Sequence, residues 1–448
     1  LNQKNPVIML KDLTLFVCLA VPGAMATTSV QCQSRVFHGV PVTGSSPRAA
    51  EYEPERLGEG LAAWSVYALD VSGIHAEAAH RSGEVDLTLR LGNDHEWKLD
   101  LWKNNLVAPD YVCRVATEDG IIEMPPIEPF TYSGWLVDRP ESRVRFSIRE
   151  EGLVGSLHYG GEEYMIEAVS AFDRDAPHDL YVVYNVRDII GPVGAMCGSH
   201  GVDGEVIDNG SGDRDIQACA MARIAIATDF SMLNWLGSID AVQARLITLL
   251  NIVDGRYRDS RIEIAYQLVT TFISRASGAD PWDPSTDAYA LLESFRHWGN
   301  GGGFGAGVAY DLASFWTRRD IAFQGNSAYI GLSYVGFICD IGRYNLNEQN
   351  STSTSTGQPS ILQTHEIGHN WSAEHTATSN STHIMSSSFG TGNTQWDNNA
   401  IAKITGHKST RTCLSPTCPP VGTIGMDEIT AGVGLVVSPN PSSGRFLI

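Results

Sequence analysis

The sequence predicts two unlike domains, a β-rich region over residues 27–215 followed by an α/β domain over residues 216–415. Three observations predict this. In the first region Val85, Leu87, Leu89 and Leu91 alternate with polar residues, as do Val144, Phe146 and Ile148, which is the period of half-buried strands. From Arg223 onward short apolar strands alternate with stretches whose apolar residues recur at helical spacing. Near the C-terminal third, His365, Glu366, His369 and His375 stand at spacings that suit one metal ion.

Two histidines four apart on a helix lie one turn apart on the same face, so His365 and His369 can aim both imidazoles at one ion. Glu366, beside the first of them, is placed to take a proton from a water at the open coordination position. His375 is the third ligand. It falls six residues after His369, too far to share that face, so the helix should end near Trp371 and the chain turn back.

With Ile384-Met385-Ser386 downstream, this stretch resembles the metzincin zinc endopeptidases, whose pattern HExxHxxGxxH precedes a methionine turn beneath the metal. The resemblance implies a mixed, mostly parallel twisted sheet with an active-site helix, one catalytic Zn2+, and peptide-bond hydrolysis with Glu366 as general base. It also implies that Met385 supports the three imidazoles from below and is not itself a ligand. The sequence departs from the pattern at Ser372, where the family has glycine. The turn there wants a left-handed backbone, which costs a residue bearing a Cβ roughly 1–2 kcal/mol.

The chain in order begins with a secretory signal. Met9, Lys11, the apolar run Leu13 to Val21 and Ala24-Met25-Ala26 follow its usual order, with cleavage after Ala26 and residues 1–8 upstream of the true start. No stretch is long and apolar enough to span a bilayer. Composition is globular, with 43% hydrophobic and 18% charged residues, while a net charge of −20 repels phosphate backbones and excludes nucleic acid as a partner. Within 27–215, His75, His80, His158 and His178 are structural or surface histidines. The run from Gly152 to His158 with Tyr164 to Glu167 resembles the propeptide of the reprolysin (adamalysin) branch of metzincins. The region therefore reads as a propeptide domain.

It closes on Met196-Cys197-Gly198 and a Gly- and Asp-rich stretch from Gly201 to Asp215 that reads as an exposed, easily cut linker. A thiolate is a strong zinc ligand, and Cys197 resembles the cysteine switch of reprolysin and matrixin precursors: it would be a metal ligand in the latent form only. Of eight cysteines Cys18 leaves with the signal; setting Cys197 aside then leaves six, enough for three bridges.

Ile224 to Thr228 reads as a strand, Ile239 to Val253 as an amphipathic helix, Arg261 to Thr271 as a strand and Ala288 to Trp298 as a helix. Gly299 to Gly307 lacks the Lys and Ser/Thr of a phosphate loop and reads as a surface loop. Ile330, Gly331, Leu332, Ser333, Tyr334 and Val335 resemble the reprolysin edge strand above the zinc cleft, where an extended peptide pairs backbone to backbone. Asn347 to Gly357 reads as a Ser/Thr-rich loop, with Ser360 or Thr364 as cap of the helix that carries His365. After His375 this chain has Thr376 where snake-venom members carry Asp; His383 and His407 read as structural.

Cys339 resembles the cysteine that reprolysins bridge to the end of the catalytic domain, which makes Cys413 or Cys418 its expected partner and leaves Cys219 as a further bridge candidate. Ca2+, bound by some relatives, is a possible further ion but stays unplaced, because Arg223 stands where a carboxylate is wanted. Residues 416–430 read as a linker. Residues 431–448, with Val437 to Ile448, resemble the opening of a C-terminal sorting domain of type IX secretion in Gram-negative bacteria, so the chain is expected to stop short of the whole domain.

The resulting expectation is a secreted zinc metalloendopeptidase acting on protein or peptide substrates, made as a latent precursor and handled by secretion machinery. Two rivals stand beside it. A thermolysin-type protease would take a downstream glutamate as third ligand, but Glu374 is too near His369. An inactive metal-binding adhesion protein has no need of Glu366, since a structural site closes its fourth position.

Overall fold

The computed structural model describes residues 35–42, 56–81, 83–191, 194–198, 219–349, 354–376, 382–389 and 392–418. The signal segment, Cys32, the Gly201 to Asp215 linker and the C-terminal sorting segment lie outside them.

Nine strands between Arg35 and Asn185 close into a barrel. The alternation seen in the sequence is its inward face: Val85, Leu87, Leu89, Leu91, Val144, Phe146 and Ile148 are all buried in one apolar cluster. Most neighbours pair antiparallel, and Arg35–Pro41 with Glu84–Leu91 pair parallel.

The second layer is an eight-stranded sheet. Its strands are β1 (Val107–Thr117), β2 (Gly120–Met124), β3 (Met196–Cys197), β4 (Ala220–Thr228), β5 (Ile264–Ser274), β6 (Leu312–Thr317), β7 (Tyr329–Ser333) and β8 (Tyr344–Glu348). The order is β3-β7-β8-β6-β4-β5-β1-β2. Pairing is parallel except at β7–β8 and β1–β2, so the sheet is mixed and mostly parallel, as expected. Three of its strands, β1, β2 and β3, precede residue 219.

Five helices accompany it: α1 (Phe230–Leu236), α2 (Ile239–Tyr257), α3 (Ala288–Asn300), α4 (Gly357–Asn370) and α5 (Asn398–Thr410). Ser238 caps α2 by accepting from the Ala241 N–H. This helix is buried all round because it lies between two layers. Val242, Leu246, Leu249 and Val253 join the core of the sheet. Asn251, Asp254 and Arg256 turn to the barrel, where they meet the Phe146 carbonyl, Arg145 and Glu163.

Several sequence expectations need correction. Asn347 and Glu348 end a buried strand and do not open a loop. Strand β7 stops at Ser333, so Tyr334 and Val335 are outside it; the Gly336 N–H is drawn off the ladder to the His369 carbonyl at 2.8 Å. Ser360 and Thr364 do not cap α4. They sit within it and return their hydroxyls to the carbonyls of Gly357 and Ser360. The cap comes from the barrel: Glu167 Oε2 accepts from both the Thr356 N–H and the Thr356 hydroxyl, each at 2.9 Å.

Cysteine parity also misled. Cys339 pairs with Cys413 and Cys219 with Cys418, but Cys113 is a buried thiol in β1, outside any bridge. A third bridge through Cys113 is therefore ruled out. The two disulfides fit an oxidising compartment. Among the described residues no single helix is long and apolar enough to cross a membrane.

Candidate metal centre

Helix α4 places His365 and His369 one turn apart, and every one of its residues except Gln358 is buried. It ends where the spacing predicted. Trp371 is the cap, Ser372 takes φ 75°, the Ser372 N–H donates to the His369 carbonyl at 2.8 Å, and the Ala373 N–H donates to the Gly368 carbonyl at 3.0 Å. That pair of bonds is a Schellman closure, which needs a left-handed residue at the position Ser372 holds. The turn brings His375 back to the helix, and the Thr376 N–H then donates to the Met385 carbonyl at 2.8 Å.

Three imidazoles converge. His369 Nε2 lies 3.0 Å from His365 Nε2 and 3.2 Å from His375 Nε2. The Nδ1 atoms of the helix pair are committed elsewhere: His365 Nδ1 donates to the Ile384 carbonyl at 2.6 Å and His369 Nδ1 to the Ala373 carbonyl at 2.7 Å. With Nδ1 protonated, each Nε2 presents a lone pair to the centre. Burial, with the neighbouring His375 adding to it, pushes His365 down to about 3, so its ring stays neutral. The Nε2 atoms of the helix pair, facing inward beside that of His375, suit a cation between them. Zinc–nitrogen bonds of 2.0–2.1 Å in a tetrahedron put ligand nitrogens about 3.3 Å apart, close to the observed spacing.

Glu366 is fully buried beside this cluster. The Ser333 hydroxyl donates to Glu366 Oε2 at 2.5 Å, and β7 passes so close that a Cβ on Gly331 would lie 2.1 Å from Glu366 Oε1. Gly331 is thus required to be bare. Gly368 is too, since a Cβ there would meet Met385 Sδ at 2.5 Å, which puts the fully buried Met385 against the helix turn between the two histidines. Phe389 packs its ring 4.9 Å from that of His365. The contacts of Gly368 and Phe389 were missed at the sequence level, because neither residue carries chemistry of its own.

Cys197 comes to the same centre. Its Sγ and one nitrogen of each of the three histidines all lie within 4.8 Å of one another. The segment that delivers it is laid between two strips of backbone. Met196 and Gly198 donate their N–H groups to the carbonyls of Ala328 and Gly331 at 2.8 and 3.0 Å. On the other side Cys197 donates to the Ser387 carbonyl, and Phe389 donates to that of Ala195. The outer edge of β7 is therefore paired with β3. Glu374 is not in the cluster; it is 63% exposed and faces Lys403.

Asp311 lies with the Cys339–Cys413 disulfide in a second group of ligand-type residues. The Arg223 guanidinium already bonds both oxygens of Asp311, at 2.7 and 3.1 Å, so a cation of the chain's own satisfies that carboxylate.

A mostly parallel α/β sheet thus carries three imidazoles and a neighbouring carboxylate in an arrangement that could hold a metal ion. Residues 219–425 match the Reprolysin_5 family model, described as metallo-peptidase family M12, so this segment is similar to reprolysin-like metallopeptidase domains. A zinc metalloproteinase-disintegrin-like protein, BmMP, of Bungarus multicinctus is 25% identical over 284 residues, which are 60% of this chain and 44% of that protein. The chain thus spans less than half the length of that relative. The crystal structure of metalloproteinase-II from Bacteroides fragilis is similar over 75% of this chain and 95% of that one, at 13% identity and a TM-score of 0.44.

Proposed function

We propose that the chain is the latent precursor of a secreted zinc endopeptidase, with His365, His369 and His375 as zinc ligands and Glu366 as general base. The observation that carries this is the convergence of three imidazole Nε2 atoms next to a buried carboxylate. Zinc, when bound, supplies Lewis acidity to a water and to the scissile carbonyl oxygen. The chain's own residues do the rest. Glu366 takes the proton of the attacking water and returns it to the leaving amine. The Ser333 hydroxyl holds Glu366 Oε2 in place. An extended substrate lies along β7, using the backbone acceptors of Ala328 and Gly331 that Met196 and Gly198 now occupy.

Latency follows from the same placement. Cys197 would be a further ligand to a bound zinc, and its segment fills the groove a substrate needs. Cutting in the Gly201 to Asp215 stretch allows that segment to leave. The signal-like residues 9–26 and the two disulfides support export, and Val437 to Ile448 supports the type IX route.

The test is bound zinc together with cleavage of an unfolded protein, for the chain, its cut form and Glu366→Gln. One zinc per chain, activity after the cut, and zinc without turnover in Glu366→Gln are expected. Normal turnover by Glu366→Gln would sink the general-base assignment; zinc without activity in the cut protein would favour a binding role.

A further inference from the structure

We infer that the barrel domain is a lasting non-covalent subunit of the protease: after a cut between Gly201 and Asp215 residues 35–191 stay bound to residues 219–418, and only the short Met196–Cys197 strip withdraws. The inference rests on the latency reading above only in assuming that such a cut activates.

The first ground is topological. Residues 95–103 and 131–136 are adjacent strands of the barrel, yet the chain between them leaves the barrel and enters the other sheet as β1 and β2. Strand β1 pairs in parallel with β5 from Thr270↔Val112 to Ser274↔Ala116. The Leu268 N–H donates to the Leu106 carbonyl at 2.7 Å and the Arg275 N–H to the Ala116 carbonyl at 2.8 Å. Tyr111, Cys113 and Val115 are buried in the same cluster as Ile224, Ile273 and the apolar face of α2. Departure of the barrel means pulling a hairpin out of the catalytic sheet and exposing that cluster to water.

The second ground is the chemistry of the contact. Arg145 pairs with Asp254 at 3.0 Å and Glu163 with Arg256 at 2.9 Å, all four side chains being no more than 6% exposed. Burial works to raise the Glu163 carboxyl, but the Arg256 guanidinium holds it below its ordinary range. The two members on the catalytic side are themselves tied into that domain: Asp254 also accepts from the Tyr266 N–H, and Arg256 also donates to the Thr364 hydroxyl on α4. With Glu167 capping α4, the barrel holds the helix that carries His365 and His369. Separation would strand buried charges and uncap that helix together.

The strip that must move is unlike this. Strand β3 is two residues long and is tied to the rest by single backbone bonds of the kind a substrate can replace. Exchange there and permanence elsewhere give an enzyme opened by a strip, with its other domain kept.

The experiment places a recognition sequence for a specific protease between Gly201 and Asp215 in the full chain. The cut protein is then passed over a native sizing column, and amide hydrogen exchange of Ile264–Ser274 is compared before and after. Co-elution of both fragments at the mass of the uncut chain, with β5 still protected, is expected. Separate elution of the fragments, or loss of β5 protection after the cut, would overturn the proposal whatever becomes of the catalytic fragment. Peptide cleavage is read in parallel. Co-elution without any gain of activity supports the shared sheet and counts against the latency reading alone.

Discussion

Replacing Ser372 by glycine should make the protein more stable without touching a ligand. Ser372 closes α4 at φ 75°, a region in which a Cβ meets the following carbonyl at a cost of roughly 1–2 kcal/mol. Glycine removes that cost but gives back about 0.5–1 kcal/mol of chain entropy on unfolding. The net gain is about 0.5–1 kcal/mol. Ser372→Ala keeps the Cβ and should gain nothing, so glycine against alanine isolates the backbone term. Urea unfolding at one saturating zinc concentration is the assay, since bound metal itself adds stability. Trp371 is a suitable reporter: it is fully buried and its Nε1 donates to the Tyr266 hydroxyl at 2.9 Å. Because the Ala373 carbonyl orients His369, glycine should leave zinc affinity equal or slightly better. An alanine variant as stable as glycine would refute the strain argument.

Gly331→Ala should keep zinc and lower kcat by about 10²-fold, because its Cβ pushes Glu366 Oε1 from a gap of 2.1 Å; metal content and steady-state kinetics check it. Cys197→Ala should raise the activity of the uncut chain, and an uncut variant as silent as its parent would argue against a thiolate lock. Burial pushes the Glu348 carboxyl up to about 8, above its unfolded range, so the folded state holds a proton that the unfolded state loses. Stability should therefore fall by up to ~1.4 kcal/mol per pH unit between the ordinary glutamate range and about 8, and Glu348→Gln should flatten that slope in pH-dependent denaturation. Removing the Cys339–Cys413 bridge, whose partners are 74 residues apart, should cost about 4 kcal/mol by the loop-closure estimate, read from unfolding under oxidising conditions.

The convergence of the candidate metal centre was legible because its information is local. An i, i+4 histidine pair, a carboxylate between, and a third histidine past a helix end fix one another through helix geometry alone. Ser372 stood out for the same reason, as a residue with a Cβ in a turn that wants none. The cap of α4 was not legible: Glu167 lies 189 residues before Thr356, and nothing around either residue announces the other. Placement of β1 in the catalytic sheet was hidden too, since parallel pairing is non-local and Pro109 within the run argues against a strand interior. Cysteine parity counts thiols but not distances, so it could not tell that Cys113 packs as a small apolar side chain. The end of β7 depends on the Gly336 bond to the end of α4, a tertiary contact that an apolar run cannot signal.

The five strands between Ala220 and Glu348 have neither flank open: β1 covers β5 on one side and β3 covers β7 on the other. Both covers are earlier in the chain and so are made first. These strands are thereby spared the hazard of presenting bare edges to neighbouring chains. On the function proposed above, a cut in the linker would uncover one flank only, the one beside the histidines, where a substrate would pair next.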